Sequence, residues 1–286
     1  MTDLQIPETR SVDIAGGPIS YLYYPASGPT PGPAAILLHA TGFMPWLWHP
    51  VARRLLSRFR IIIPYFCDHR VAKPEDGLSW LTLAEDLAAF LTALGPENPF
   101  IVGHSMGGAV AAICAAKFGL SFKKMLLFEP IFLPRNFYGM KIRVDQHPLA
   151  SRSINRKNSW ESRDNALSYL KSKPLFASWD NEALELYVTF GMVEAGDGSL
   201  ELACTPQHEA ALFMGSIAYD PWPVLSKVDC PVLVVEAEHS ENKGKIPFRQ
   251  ASELFPNGEF KIMSGAGHLI PMEKPVETAD LIMEFF

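Results

Sequence analysis

Residues 100–108 read Phe-Ile-Val-Gly-His-Ser-Met-Gly-Gly: an apolar run, a serine set between glycines, then the helical pattern of GAVAAICAAKFG. Gly103-His104-Ser105-Met106-Gly107 has the form G-x-S-x-G and falls where a strand gives way to a helix. That context supplies the chemistry. A serine on so sharp a turn is held in a strained backbone conformation, glycines remove the side chains that would clash, and the hydroxyl is raised above the sheet. The helix behind it aims N–H groups and the positive end of its dipole at any oxyanion formed there. Ser105 is therefore the candidate nucleophile and the Met106 N–H a candidate oxyanion donor; the bland alternative is a tight turn without chemistry.

Around this turn, short aliphatic runs alternate with longer segments of helical period, the pattern of a mostly parallel sheet covered by helices. The runs predict strands over 19–24, 35–39, 60–65, 100–103, 124–128, 232–236 and 259–263. Apolar spacings of three and four predict helices over 49–59, 83–94, 107–118, 248–254 and 276–286. The fold class is α/β. From 131 to 228 the strand signal disappears, and short helical patterns such as NEALELYVTFGMV follow one another between Pro, Gly and Ser. That is too much chain for a structureless loop. It predicts a helical insertion, 131–228, over one edge of the sheet of a core built from 1–130 and 229–286. The stretch PASGPTPGP, 25–33, reads as a stiff turn between early strands.

His268 stands apart from the other histidines. It follows the strand FKIM and the small-residue turn Ser264-Gly265-Ala266-Gly267, and it precedes the last helix. A neutral imidazole there is suited to take a serine proton and return it near neutral pH. His104 and His39 read as scaffold residues. The strand AAILLH runs into Ala40-Thr41-Gly42-Phe43, and the nearby aromatics Phe43, Trp46 and Trp48 either wall the site or simply pack.

The segment FIVGHSMGG, the late SGAGHLIPMEKP and the position of the insertion together resemble the α/β-hydrolase superfamily, in its capped serine esterase, lactonase and carbon–carbon hydrolase branch, over nearly the whole chain. The resemblance implies a helical cap at 131–228 and His268 as general base. It implies Thr41 as the second oxyanion donor, with Phe43 as competitor, although Ala40 stands where the family usually has Gly. It also implies a carboxylate behind His268. The family's commonest position for it, just past CPVLVV, holds Ser240 here, which cannot carry the charge; Glu238 and Glu241 lie nearby. The family's other position is the end of the strand after the nucleophile helix, where LLFEP supplies Glu129. A carboxylate ending a buried strand is costly unless paired. Glu129 is accordingly the first choice for the acid, with Glu241 and Glu238 as alternatives.

Composition narrows the function further. With 48% hydrophobic and 20% charged residues the chain of 286 is ordinary globular material. A net charge of -6 gives no reason to bind nucleic acid. Cys67, Cys114, Cys204 and Cys230 are scattered, without CxxC spacing, and read as reduced thiols. No metal-ligand cluster, phosphate loop or nucleotide fingerprint is seen in the sequence, so no cofactor is implied. No secretory leader is read at the N-terminus, and no apolar run reaches the roughly 18–20 residues of a membrane span. The expectation is a cytoplasmic serine hydrolase cleaving a small or medium, mainly apolar ester or lactone, a small-molecule substrate, through an acyl-serine. The alternatives are a meta-cleavage-type carbon–carbon hydrolase and a non-catalytic ligand-binding protein of the same fold.

Overall fold

The computed structural model describes residues 6–28 and 32–286. The middle of the 25–33 turn and the first five residues lie outside them. In chain order the first part comprises β1 (Glu8–Ile14), β2 (Gly17–Tyr24), β3 (Ala34–Leu38), α1 (His49–Leu55), β4 (Arg60–Pro64), α2 (Trp80–Leu94), β5 (Phe100–His104), α3 (Met106–Phe118) and β6 (Met125–Phe128). Then follow α4 (Pro148–Ile154), α5 (Arg163–Lys171), α6 (Asn181–Phe190), β7 (Met192–Glu194), β8 (Leu200–Leu202) and α7 (Pro206–Gly215). The chain closes with β9 (Val232–Ala237), α8 (Phe248–Leu254), β10 (Gly258–Met263), α9 (Ile270–Glu273) and α10 (Pro275–Phe285).

Eight strands form one sheet in the order β1-β2-β4-β3-β5-β6-β9-β10. The β1–β2 and β2–β4 pairs are antiparallel, and the remaining pairs are parallel. The central strands β3, β5 and β6 are buried at every position and almost wholly apolar because both faces are covered. On β3, Ala34, Ile36 and Leu38 face the core under α2, α3 and α8, whereas Ala35 and Leu37 face that under α1 and α10. The same alternation splits Met125 and Leu127 from Leu126 and Phe128 on β6.

Local chemistry sets the ends. α2 begins earlier than its apolar period predicts because the Ser79 hydroxyl caps it, accepting from Leu81 N at 3.3 Å. The strand β1 was not legible: ETRSVDI lies on the edge, mostly exposed, and has no apolar alternation to read. Nor were β7 and β8, a two-stranded sheet of three residues each within the segment expected to be wholly helical.

The segment between β6 and β9 has an apolar core of its own, including Trp160, Leu170, Phe176, Trp179, Leu184 and Tyr187. This core continues into Met44, Leu47, Leu269 and Met272. Those residues follow β3 and β10, so the segment covers the carboxyl ends of the parallel strands, not an edge of the sheet as expected. Its aromatic faces match the apolar loops there: Trp46 stacks on Phe190 with centroids 3.7 Å apart. Polar ties hold the arrangement. Leu78 N donates to Ala211 O at 2.8 Å, Asp180 N to Met272 O at 2.8 Å, and Arg53 Nη2 to Glu182 Oε2 at 2.6 Å. No helix among the described residues is long and apolar enough to cross a membrane.

Candidate active site

Ser105 sits between β5 and α3 with φ 55° and ψ −116°. A residue with a side chain occupies this region only when its surroundings enforce it. The enforcement is visible. A Cβ at Gly103 would lie 2.5 Å from Gly108 Cα, and one at Gly107 would lie 2.6 Å from Leu38 O, so only glycines let β5, α3 and the end of β3 approach this closely. Ser105 N donates to Phe128 O at 2.9 Å, and its carbonyl accepts from Gly108 and Ala109.

The loop after β3 packs on the start of α3. Thr41 and Met106 are buried, and among the described residues their N–H groups have no acceptor. Buried N–H groups are rarely left so. The Phe43 N–H, by contrast, is used in a turn with Ala40 O at 3.2 Å.

Glu129 ends β6 fully buried, with φ 46°. Its Oε1 accepts from Ala237 N at 2.7 Å. Its Oε2 accepts from Ser240 Oγ at 2.6 Å, from Asn242 Nδ2 at 3.3 Å and from His268 Nδ1 at 2.9 Å. Four donors answer the desolvation of one carboxylate, which isolated in such a place would cost several kcal/mol. Asn242 Nδ2 also lies 3.0 Å from His268 Nδ1. Both are donors, so the Nδ1 proton goes to Glu129, and that bond fixes the tautomer with Nε2 as the free, basic nitrogen. The other two carboxylates considered do not reach His268. Glu238 accepts from Gly265 N at 2.9 Å, and Glu241 is exposed on the surface.

Ser240 and Asn242 escaped the sequence reading as members of this site. At the position past β9 where a second carboxylate would repel Glu129, Ser240 donates to it instead. A polar Ser and Asn beyond an apolar strand give no periodic signal by which to find them.

His268 is partly open, its side chain 17% exposed. Its carbonyl accepts from His104 Nε2 at 2.9 Å. Burial, with the neighbouring His268, pushes the pKa of His104 down to about 3, so it stays a neutral donor that holds the histidine loop. Among the described residues the His268 ring is bonded through Nδ1 to Glu129, and no hydrogen bond joins it to Ser105 Oγ. Such contacts commonly tighten only when substrate binds.

Phe43 meets Trp179 and Tyr187 edge-on, with centroids 5.5 and 5.8 Å apart. A small pocket lined by Phe43, Leu47, Trp48, His104 and Met272 adjoins them. An ion pair lies within the segment. Arg156 Nη1 donates to Glu209 Oε2 at 2.9 Å and Arg156 Nη2 to the Tyr187 hydroxyl at 3.5 Å, and Glu209 is packed against Gly42, where φ is +75° and a Cβ would overlap its carboxylate. Burial works against the Arg156 charge, but Tyr187 and Glu209 more than offset it and hold the guanidinium protonated.

A serine at a strand-to-helix turn, at the carboxyl end of a largely parallel sheet and beneath a helical segment, defines a class of α/β protein built around a nucleophile elbow. The chain belongs to the alpha/beta hydrolase family, whose model matches residues 35–281. It is 23% identical to the AB hydrolase superfamily protein YfhM of Bacillus subtilis over 92% of this chain and 93% of that protein. Among solved structures it is similar to E-2-(acetamidomethylene)succinate hydrolase, with a TM-score of 0.81, 22% identity and 98% of each chain covered. It also resembles a thermophilic esterase from Thermogutta terrifontis, with a TM-score of 0.68, 20% identity and 97% of each chain covered.

Proposed function

We propose that the protein is a serine hydrolase that cleaves a small or medium, mainly apolar ester or lactone through an acyl-Ser105 intermediate. His268 Nε2 takes the Ser105 proton as the hydroxyl attacks the carbonyl carbon and returns it to the departing alkoxide; it then deprotonates the water that releases the acid. Glu129 holds the imidazole in the required tautomer and stabilises its cation. The N–H groups of Thr41 and Met106 stabilise the oxyanion, each contributing on the order of 10²–10³-fold in rate. Residues 131–228 act as the cap whose apolar face receives the acyl group.

The observation that carries this reading is the hydrogen bond from His268 Nδ1 to the fully buried Glu129, behind a serine in an enforced positive-φ turn. The Ser240 substitution, the one feature in favour of a non-catalytic binder, has a role in that arrangement as a donor to Glu129. A fluorophosphonate probe tests the reading. Stoichiometric labelling of Ser105, read by intact mass and lost in Ser105→Ala, is expected; an unlabelled, folded wild-type protein contradicts it.

A second reading rests on Arg156 beside the loop of Thr41 and Gly42. A guanidinium there suits a substrate with a carboxylate, and one similar structure is of an enzyme named for a succinate derivative. Against it, Glu209 already neutralises Arg156. Neutral acyl groups therefore remain the first expectation, because an added charge would be desolvated without a partner.

A further inference from the structure

Two stretches that look unrelated in sequence meet beside the site. Cys67 and Asp68 follow β4, and His208 lies in the first turn of α7. The Cys67 Sγ, an Asp68 carboxylate oxygen and a His208 ring nitrogen all lie within 4.8 Å of one another, the one such group of three or more His, Cys, Asp or Glu side chains among the described residues. Cys67 is 1% exposed. The His208 Nε2 is sealed from solvent and has no hydrogen-bond partner.

An orphaned nitrogen on the same His208 ring is the second, independent observation. A buried polar atom without a partner costs about 1–3 kcal/mol and calls for an explanation. His39, His49 and His69 also leave a buried ring nitrogen unpaired, but none of them belongs to such a group. The His208 backbone is meanwhile committed, since its N–H donates to the capping Thr205 Oγ1 at 3.1 Å. This fixes the turn from which the ring projects.

A thiolate, an imidazole and a carboxylate are the donor types of zinc, at metal–ligand distances of about 2.0–2.3 Å. Donors up to 4.8 Å apart need only modest closure to reach a common centre of that size. We propose that Cys67, Asp68 and His208 form a binding site for a divalent cation of the zinc class. The cation clamps α7 to the loop after β4. Binding converts the Cys67 thiol to a metal-bound thiolate with release of one proton to solvent, and no redox change is involved. Because α7 also carries Glu209, which packs on Gly42, the clamp ties the covering segment to the loop of Thr41. The site is independent of the hydrolase reading.

Cobalt titration of the reduced, chelator-treated full-length protein tests the proposal, because cobalt bound to a thiolate gives a charge-transfer absorption that oxygen and nitrogen ligands do not. One equivalent of Co²⁺ is expected to produce that band and one equivalent of Zn²⁺ to abolish it by displacement. Cys67→Ser should remove the band, His208→Ala should weaken binding at least tenfold, and Ser105→Ala should bind as wild type does. No band in the wild type at saturating Co²⁺ overturns the proposal. So does a band that survives Cys67→Ser. If Cys67→Ser fails to fold, His208→Ala decides alone, and unchanged affinity in that variant overturns the site.

Discussion

β5 and β6 lie side by side in the sheet, and each is followed at once by a non-glycine residue forced to positive φ: Ser105 at 55° and Glu129 at 46°. Only one further non-glycine residue among those described, Asn98, shares this property. The two strand ends are built differently. Ser105 is made by its immediate neighbours, through Gly103, Gly107, Gly108 and the helix that begins at Met106. Glu129 is made by groups 108, 111, 113 and 139 residues away in the chain: Ala237, Ser240, Asn242 and His268. A nucleophile turn is a local backbone device and writes itself into a motif. A buried carboxylate is a tertiary device, and almost nothing beside it in sequence declares what it does.

If both strand ends belong to one catalytic unit, the largest effects come from its reacting members. Ser105→Ala and His268→Ala should each lower kcat by about 10⁴–10⁶-fold, and the double variant should lose little more, since members of such a unit act together. Circular dichroism should show all three folded. Steady-state hydrolysis of a short-chain ester measures this, and additive losses would separate the serine from the histidine.

The next effect probes how the distant groups make Glu129. Ser240→Ala and Asn242→Ala each remove a donor to a buried carboxylate, and hydrogen bonds to charged groups are worth about 1.5–3 kcal/mol. Ser240→Ala, which removes the 2.6 Å bond, should lower stability in a denaturant titration by an amount in that range and kcat by roughly tenfold. Asn242→Ala, which removes the 3.3 Å contact, should do less of both. Equal stability in all three proteins would mean that Glu129 is held without these donors.

What was legible follows the same division. The sheet could be read because its inner strands carry aliphatic runs such as AAILL and the III of RIIIP. Ser105 and His268 could be singled out because small residues crowd around each in a recognisable order. Glu129 was visible only as a charge at the end of an apolar strand, and Ser240 and Asn242 were not visible as its partners. The Arg156–Glu209 pair spans 53 residues of irregular helices and loops, where periodicity carries no pairing information. Cys67 and His208 likewise read as unrelated until β4 and α7 brought them together.

The smallest expected effect concerns the segment over the site. With Arg156 neutralised by Glu209 and aromatic residues around Phe43, a neutral acyl ester should be turned over faster than the matching dicarboxylate monoester, by roughly tenfold or more in kcat/KM. Arg156→Met should then disturb neutral substrates more through lost packing than through lost charge. Faster turnover of the dicarboxylate monoester, abolished by Arg156→Met, would instead favour recognition of a substrate carboxylate.

The central claim is that the strand end at Glu129 completes the unit begun at Ser105, and a comparison of kcat for Glu129→Gln and Glu241→Gln tests it most directly. The glutamine at 129 keeps size and an acceptor but loses the charge that fixes the imidazole tautomer. It should lower kcat on the order of 10³–10⁴-fold in a folded protein, while the glutamine at 241 leaves kcat within about twofold of wild type. A large loss in Glu241→Gln with near-normal turnover in Glu129→Gln would contradict the account and move the acid to the loop after β9.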